Sequence, residues 1–491
     1  MLRRRKALLV AFAYTLVLCG VVHYFVNPVQ PTAYMDEVFH EEQTISYLHG
    51  EWQKWNPKIT TPPGLYVLTT FLWKVLPFRA CVENFRFLNC FIGGANLILL
   101  AELTQSILTA LTISTLPVLF FTAILFYTDQ LSLLALLLTL HAQRSSLSSL
   151  ALLFGCFACF VRQTNVVWLA FMIGQEAIQR LARTQSCARK TALQWFIYLI
   201  KHPGHIVISC FKAALLDAPH HTATIVLFAT FVIVFNQGDI VLGDRSAHKP
   251  TLHVPQIFYL FVFCALHTPT AFLRYLYTTL YVPRRLSLIT LIWITLLLFL
   301  TVVVIDRFTV EHPYLLADNR HYTFYLWSRL FRRYKSFRYT LAPVYLICGD
   351  YVCRGLRGGS VSEFLTSLGY LVAIALVLVP AGLVEPRYFI APYVVWRLTR
   401  PRIREERSYP VVEVAMNAFI NAVTVHIFAF YPFRSRIFGD SDKLVLMVPL
   451  ERLSYIDLAP PDVYHGAPAR LRMVPLLRRL LECFSTGALI A

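Results

Sequence analysis

Charge is scarce in this chain of 491 residues, of which 15% are charged and 57% are hydrophobic. Soluble domains carry about 25% charged residues, so this chain has too few charges to cover a water-exposed surface. Its apolar runs recur along the chain and many approach about 17–25 residues, the length of helices that cross a bilayer. The scarcity of charge therefore excludes a soluble globular protein and predicts an all-α polytopic membrane protein.

The sequence also lacks the short motifs of disulfide frameworks, metal sites, phosphate-binding loops and glycosylation sites. The eleven cysteines follow no disulfide framework. Cys156-x-x-Cys159 lies in an apolar run, where two buried helix thiols are more common than a redox or zinc half-motif. The sequence has no N-x-Ser/Thr sequon, no glycine loop that would cradle a phosphate and no strong metal-ligand spacing. We therefore expect no metal site and no obligatory cofactor, and dependence on a divalent cation stays open.

Basic residues outnumber acidic ones and give a net charge of +18, but they form no basic domain. They lie in short clusters between apolar runs, at 3–6, 180–190, 284–285, 332–338 and 397–407. Clusters of this kind flank bilayer-spanning helices, where they set orientation and bind lipid head groups. The chain is therefore expected to contact membrane lipid and not nucleic acid.

The first apolar run, residues 7–26, follows four basic residues and lacks a small-x-small cleavage site. It is therefore predicted to be an uncleaved first span with a cytosolic N-terminus. The loop after it, at about residues 27–84, then faces the lumen of a secretory membrane. Two short interfacial helices are predicted in this loop, one ending near Gly50 and one beginning after the turn at 60–64. With the later runs, the expected total is roughly eleven to fourteen spans.

The segment Tyr34–Tyr66 is the most polar stretch beside the first span and carries the first candidate site residues. Asp36 and Glu37 point about 100° apart on a helix, whereas Asp36 and His40 are four residues apart and share a face. A carboxylate at the edge of a membrane-embedded cavity can act as a general base for a hydroxyl. The alternative is that Asp36 caps a short helix and Glu37 is a solvated acid in its first turn.

Two later clusters supply cations on the same predicted side of the membrane. The first follows the run at 286–305 and contains Asp318, Asn319, Arg320 and His321. The second contains Arg387, at the mouth of a later run. The alternatives are an ordinary polar loop with an Asp-Asn turn for the first, and an interface anchor or a pair with Glu385 for Arg387. A carboxylate opposite such cations fits transfer from a lipid-phosphate donor, because negative charge grows on the leaving phosphate.

Several long motifs carry a resemblance to a known family. They are YMDEVFH at 34–40, PKITTPPGLY at 57–66, RQTNVVW at 162–168, YLLADNRHYTFYLW at 314–327 and EPRYFIAPYV at 385–394. In this order they resemble the dolichyl-phosphate-glucose-dependent alpha-1,2-glucosyltransferases of the GT-C superfamily. The resemblance covers about residues 1–435, which are expected to form the multi-spanning domain. The polar tail at 436–491 has no counterpart in it and is expected to be an extension of unknown role.

The resemblance implies an inverting alpha-1,2-glucosyltransferase in the endoplasmic-reticulum membrane, with its active site facing the lumen. Its donor would be dolichyl-phosphate-glucose, and its acceptor the diglucosylated oligosaccharide on dolichyl diphosphate. This transfer is the last step in assembling the lipid-linked oligosaccharide for asparagine glycosylation. The alternatives are a non-catalytic polytopic regulator or transporter, and a GT-C enzyme that uses dolichyl-phosphate-mannose.

By the same resemblance, the expected catalytic residues are Asp36, as the base, and Glu37, which positions it or couples to it. The expected substrate-binding residues are His40, Asp318, Asn319, Arg320, His321 and Arg387. Among these, Arg320 and His321, and then Arg387, are expected to contact the donor phosphate.

Overall fold

The computed structural model describes most of residues 2–430 and, beyond them, only 433–434 and 444–445. The gaps up to residue 430 are 185–193, 195–196, 198–199, 244, 246–249, 282–286, 313–314, 316–321, 357–360 and 401–408. All described residues belong to the first of two units, Met1–Leu446. The expected site residues Asp318, Asn319, Arg320 and His321 lie outside the described residues, and so does the expected extension apart from residues 444–445.

The first part of the chain is mainly helical. Its helices are α1 Leu2–Val21, α2 Glu37–Leu48, α3 Gly64–Val75, α4 Val82–Thr104, α5 Ile107–Ser114, α6 Pro117–Ala123, α7 Thr128–Arg144, α8 Ser148–Val161 and α9 Asn165–Thr184. A π-helical segment, Val22–Val26, and a last turn, Asn27–Val29, extend α1. The predicted pair of short helices in the first polar loop is confirmed by α2 and α3. Gly50, after α2, has φ +85°, a conformation in which glycine is unstrained.

The second part continues with helices, several of which begin at proline. They are α10 Pro203–Lys212, α11 Pro219–Thr230, α12 Pro255–Leu266, α13 Pro269–Leu276, α14 Leu288–Phe308, α15 Tyr322–Leu326, α16 Phe337–Thr340, α17 Ala342–Leu356, α18 Val361–Leu378, α19 Ile390–Thr399 and α20 Tyr409–Phe430. π-helical turns extend four of them, at Ala213–Asp217, Phe231–Phe235, Tyr277–Tyr281 and Trp327–Phe331. A 3₁₀ turn, Pro386–Phe389, precedes α19. Strand β1, Phe433–Arg434, pairs antiparallel with β2, Leu444–Val445.

Within the described residues, four helical segments are long and apolar enough to cross a membrane. They are Arg3–Val29, Val82–Thr104, Leu288–Phe308 and Tyr409–Phe430. The number rises to seven if each of three bent helix pairs is one span, and these pairs are bent by 107° (α6–α7), 96° (α10–α11) and 99° (α12–α13). In two of the pairs the second helix starts at a proline, which lacks a backbone N–H and so interrupts the first. The chain is a multi-pass helical membrane protein, and the expected eleven to fourteen spans stay a prediction.

Helix α4 is the most enclosed of the four long segments, with 61% of its apolar window buried against 11% for α14. It contacts α1, α5 and α7. It also carries the buried polar residues Arg86, Asn89 and Asn96 on its length. Buried polar groups are costly without partners, so α4 must satisfy them from its neighbours.

Asn89 donates hydrogen bonds to backbone carbonyls at the bend between α6 and α7. Its Nδ2 donates to the carbonyl oxygens of Leu125 at 2.6 Å and Tyr127 at 2.8 Å. One turn of α7 further on, Asn96 Nδ2 donates to the carbonyl oxygen of Gln130 at 3.0 Å. Leu125 lies just beyond the last turn of α6, so its carbonyl has no partner within that helix and Asn89 supplies one. The carbonyls of Tyr127 and Gln130 lie at the N-terminal end of α7, and the amides of Asn89 and Asn96 tie that end to α4. The bend brings Tyr127 to the N-terminus of α2, where its hydroxyl accepts from the backbone N–H of Asp36 at 3.4 Å.

The loop after α11 packs on the loop between α2 and α3. The carbonyl oxygen of Thr60 accepts from the backbone N–H of Leu242 at 3.4 Å and from Nε2 of Gln163 at 3.0 Å. Gly243 has φ +75°, and a Cβ at this position would overlap the backbone oxygens of Pro57 and Ile59. Only glycine therefore allows the two loops to approach this closely.

The variant Gly243→Ala should lower the thermal stability of the detergent-purified protein. A non-glycine residue at positive φ costs about 1–3 kcal/mol, and here the overlap with two backbone oxygens adds to this cost. Gly238→Ala is the matched control, since Gly238 has φ +83° but a Cβ there would meet nothing within 4 Å. The Tm should fall further for Gly243→Ala than for Gly238→Ala, and equal Tm values would show that the loop contact contributes nothing.

Candidate active site

A buried ion pair joins α2 to α4. Arg86 donates from Nη2 to Oε2 of Glu37 at 2.6 Å and from Nε to Oε1 at 3.0 Å, and both side chains are fully buried. The remaining three donors of Arg86 bind the carbonyl oxygens of Gln30 at 2.6 Å and Thr32 at 3.0 Å and the side-chain oxygen Oδ1 of Asn27 at 2.9 Å. The guanidinium therefore ties the segment after α1 to the start of α2.

The carboxylate of Glu37 also accepts two hydrogen bonds from the backbone. Its Oε2 accepts from the backbone N–H of Tyr34 at 2.9 Å, and its Oε1 accepts from that of Phe126 at 2.6 Å. The alternative of a solvated first-turn acid is therefore wrong for Glu37. Because the carboxylate of Glu37 is buried and hydrogen-bonded, the geometry favours Glu37 as a residue that positions its neighbour Asp36. Its part in the reaction stays a prediction.

Asp36 lies at the N-cap of α2 with 40% of its side chain exposed. Its side chain accepts no capping hydrogen bond, so the cap alternative is not what the structure shows. Instead its Oδ2 accepts from Nη2 of Arg387 at 2.7 Å. Arg387 belongs to the 3₁₀ turn before α19, so two of the expected site residues, 351 positions apart in the sequence, lie in direct contact.

Arg387 is surrounded by acceptors. Its Nε donates to Oε1 of Glu385 at 2.6 Å, and its Nη1 lies 3.7 Å from Oδ2 of Asp129. Its guanidinium carbon lies 4.7 Å from the ring centre of Tyr127, within range of a cation–π contact. Burial acts to lower the pKa of Arg387, but the carboxylates of Glu385, Asp36 and Asp129 raise it well above the usual value. Arg387 therefore stays a cation, and its pairing with Glu385, the alternative considered above, coexists with the pairing to Asp36.

A second arginine completes a cluster of five charged side chains, which are Asp36, Asp129, Arg162, Glu385 and Arg387. Arg162, at the end of α8, donates from Nη1 to Oδ1 of Asp129 at 2.8 Å. Asp129 lies in the first turn of α7 with 1% of its side chain exposed. The sequence contains Arg162 in the motif RQTNVVW but assigns it no role there, and Asp129 is not among the expected site residues. A lone acid between two apolar runs was the available signal, because ionisable groups at membrane depth are costly without a role.

His40 lies behind Asp36, buried among aromatic rings. Its Nδ1 forms a hydrogen bond of 2.7 Å with the hydroxyl of Tyr66, and its ring centre is 5.8 Å from that of Tyr127. Burial lowers the pKa of His40 to about 4, against the opposing field of Asp36. The imidazole is therefore neutral at pH 7, and its expected contact with substrate stays a prediction. Within the described residues, no group of three or more His, Cys, Asp or Glu side chains is arranged to hold a metal ion.

The sequence model of the DIE2/ALG10 family matches residues 30–398, a range that contains the whole cluster. The chain belongs to the DIE2/ALG10 family. The resemblance noted from the motifs is thus confirmed.

Curated relatives agree with this assignment, and each is named Dol-P-Glc:Glc(2)Man(9)GlcNAc(2)-PP-Dol alpha-1,2-glucosyltransferase. A relative from Drosophila melanogaster is 34% identical over 80% of this chain and 89% of its own length. One from Homo sapiens is 32% identical over the same shares, and one from Yarrowia lipolytica is 28% identical over 87% of this chain and 95% of its own length. No solved structure matches the chain.

Glu37→Gln should destabilise the protein far more than Asp36→Asn. Removing one partner of a buried ion pair leaves the other charge uncompensated and costs about 3–5 kcal/mol. Asp36 is partly exposed, and pairs of that kind contribute about 0–1 kcal/mol. The Tm of each variant, measured in the same detergent, tests this difference. A wild-type Tm for Glu37→Gln would contradict the anchoring role of the Glu37–Arg86 pair.

The stability of the protein should fall as the pH decreases from about 6.5 to about 4. Because the pKa of His40 is lowered to about 4 in the fold, the folded protein keeps His40 neutral in this range, whereas the unfolded chain binds a proton there. His40→Gln should make the Tm less dependent on pH across this range. His49→Gln, at an exposed histidine just after α2, should keep the wild-type dependence. A His40→Gln profile that parallels wild type would contradict the burial effect.

Proposed function

We propose that the chain is an inverting alpha-1,2-glucosyltransferase that transfers glucose from dolichyl-phosphate-glucose to the diglucosylated oligosaccharide on dolichyl diphosphate. The observation that carries the proposal is the contact between Asp36 and Arg387, a carboxylate and a cation within the family-matched segment. The names of the relatives supply the donor and the acceptor. The reaction would complete the lipid-linked oligosaccharide at the lumenal face of the endoplasmic-reticulum membrane, on a GT-C fold.

The chemistry needs one base and one stabilised leaving group. Asp36 takes the proton of the acceptor hydroxyl as its oxygen forms a bond to the anomeric carbon of the donor glucose. The bond between that carbon and the phosphate oxygen breaks, and its electron pair leaves with the phosphate. Attack opposite the leaving group inverts the anomeric centre, so no covalent intermediate with the protein is required. Arg387 stabilises the charge that grows on the phosphate.

Arg387 and Asp36 must separate for each to act. Among the three carboxylates that contact Arg387, Asp36 has 40% of its side chain exposed, whereas Glu385 and Asp129 have 8% and 1%. Asp36 is therefore the partner that an entering phosphate can replace. The exchange would bind the donor and release the base in one step.

An apolar groove near the start of α2 has the composition expected of a contact for the lipid chain of the donor. It lies between the π-helical end of α1, helix α6 and helix α20, with Val26, Phe120 and Phe428 in its wall. The ring of Phe428 packs 6.0 Å from that of Tyr34, two residues before Asp36. A polyprenyl chain lying along these apolar side chains would be removed from water.

Asp36→Asn should abolish transfer while leaving the protein folded. Loss of a general base lowers the rate by about 10²–10⁴-fold. The measurement is transfer of labelled glucose from dolichyl-phosphate-glucose to a defined diglucosylated acceptor by the purified protein. Asp239→Asn is the control, because Asp239 is an exposed aspartate paired with Arg245 at 3.1 Å in the loop after α11.

Transfer at the wild-type rate by Asp36→Asn would remove Asp36 as the base. Wild-type transfer from dolichyl-phosphate-mannose in place of the glucose donor would establish the mannosyl alternative. Absence of transfer from both donors would favour a non-catalytic regulator or transporter. That last alternative has the relatives against it, since each is named a glucosyltransferase.

A further inference from the structure

Asp129 is a buried carboxylate that the proposed reaction does not use. It sits in the first turn of α7, directly after the 107° bend from α6, and 1% of its side chain is exposed. Its Oδ1 accepts from Arg162 at 2.8 Å. Its Oδ2 accepts no hydrogen bond from the described residues and lies 3.7 Å from Nη1 of Arg387. One carboxylate thus stands between two guanidinium groups.

The two arginines differ from Asp129 in their exposure. Arg162 has 18% of its side chain exposed and Arg387 has 19%, while Asp129 is sealed behind both. An anion arriving from outside therefore meets the guanidinium groups first. Both guanidinium groups contact the same carboxylate and so lie near each other. A guanidinium group can donate two parallel hydrogen bonds to the oxygens of a phosphate.

Asp129 is poorly placed to act as the base itself. Both of its oxygens point toward arginines, and its exposure is a fraction of that of Asp36. Its surroundings also fix it firmly, since Asn89 and Asn96 hold the backbone on either side of it. A rigid carboxylate behind two cations is suited to orienting them.

We propose that Asp129 is a positioning residue that holds Arg162 and Arg387 as a pair of cations for a substrate phosphate group. When the phosphate replaces Asp36 on Arg387, Asp129 keeps the guanidinium from following Asp36 or turning away. Arg162, held by the other oxygen of Asp129, becomes the second phosphate ligand. This inference rests on the proposed function, because it assigns a role within the same site.

The test is Asp129→Asn, which keeps the shape of the side chain and removes its charge. If Asp129 orients the arginines, kcat per folded enzyme should fall at least tenfold. If it served only to neutralise them, its removal would make the site more positive, lower the KM of the donor and leave kcat unchanged. If it served only the fold, the Tm would fall and kcat per folded enzyme would stay at the wild-type value. Either of the last two results overturns the inference.

Two further variants sharpen the test. Asp129→Glu keeps the charge and should recover part of the lost kcat. Asp217→Asn is the matched control, because Asp217 forms a pair of 2.6 Å with Arg180 away from the cluster, and its kinetic constants should equal those of wild type. The kinetic constants of each substrate, measured while the other is saturating, identify which substrate carries the phosphate that the two arginines bind. A change in the donor constants assigns it to the donor, and a change in the acceptor constants assigns it to the acceptor diphosphate.

If Asp129→Asn does not fold, a double-mutant cycle that leaves Asp129 unchanged still tests the inference. Because one carboxylate holds both arginines, Arg162→Lys and Arg387→Lys should be coupled, so the double variant loses less than the product of the single losses. Independent losses overturn the inference. Wild-type protein that transfers no glucose would defeat the proposed function. Wild-type protein that transfers glucose, beside an Asp129→Asn variant of equal kcat, would defeat only the role of Asp129.

Discussion

A fully buried guanidinium cannot remain without a counter-charge, and Arg86 of α4 meets this demand through Glu37. The pair sets the position of α2 because Glu37 is the first residue of that helix. It also reaches the bend between α6 and α7, since Glu37 accepts from the backbone N–H of Phe126. Asp36, one residue earlier, is thereby held at the edge of the buried region with part of its side chain exposed.

The residues that follow this bend also contact the two arginines of the cluster. Phe126 is followed by Tyr127, whose ring lies under Arg387, and by Asp129, which contacts both arginines. A single backbone segment thus links the anchor of α2 to the groups that hold Arg387. A disturbance of the Glu37–Arg86 pair would therefore move Asp36 and Arg387 together, so the buried carboxylate of Glu37 helps to set the position of the partly exposed carboxylate of Asp36.

The sequence was informative about local elements and about Asp36 and Arg387, and much less about their surroundings. The two short helices followed from Gly50 and the turn at 60–64, because local signals end and begin helices. Glu37 is expected to position Asp36 or couple to it, and a rotation of about 100° per residue turns its side chain away from that of Asp36 and into the interior. Its partner Arg86 lies 49 positions away, and pairing over that distance leaves no local pattern.

Asp129 was missed for a related reason. Asp129 lies between the apolar stretches 107–127 and 131–142, and nothing local in the sequence pairs it with Arg162. The 107° bend lies just before it, and there the amide of Asn89 on α4 binds two backbone carbonyls. The sequence also does not fix the number of spans, because bent helix pairs and short helices have the same apolar composition as full spans.

The charges of the described cluster also constrain how a phosphate can enter. Asp36, Asp129 and Glu385 face Arg162 and Arg387, so the carboxylates already outnumber the guanidinium groups. Adding a phosphate to a poorly solvated site with this balance is unfavourable unless a carboxylate leaves or a further cation arrives. On the proposed mechanism the partly exposed Asp36 is the carboxylate that leaves, and in turning away from Arg387 it becomes available to the acceptor hydroxyl. The excess of negative charge would then couple donor binding to activation of the proposed base.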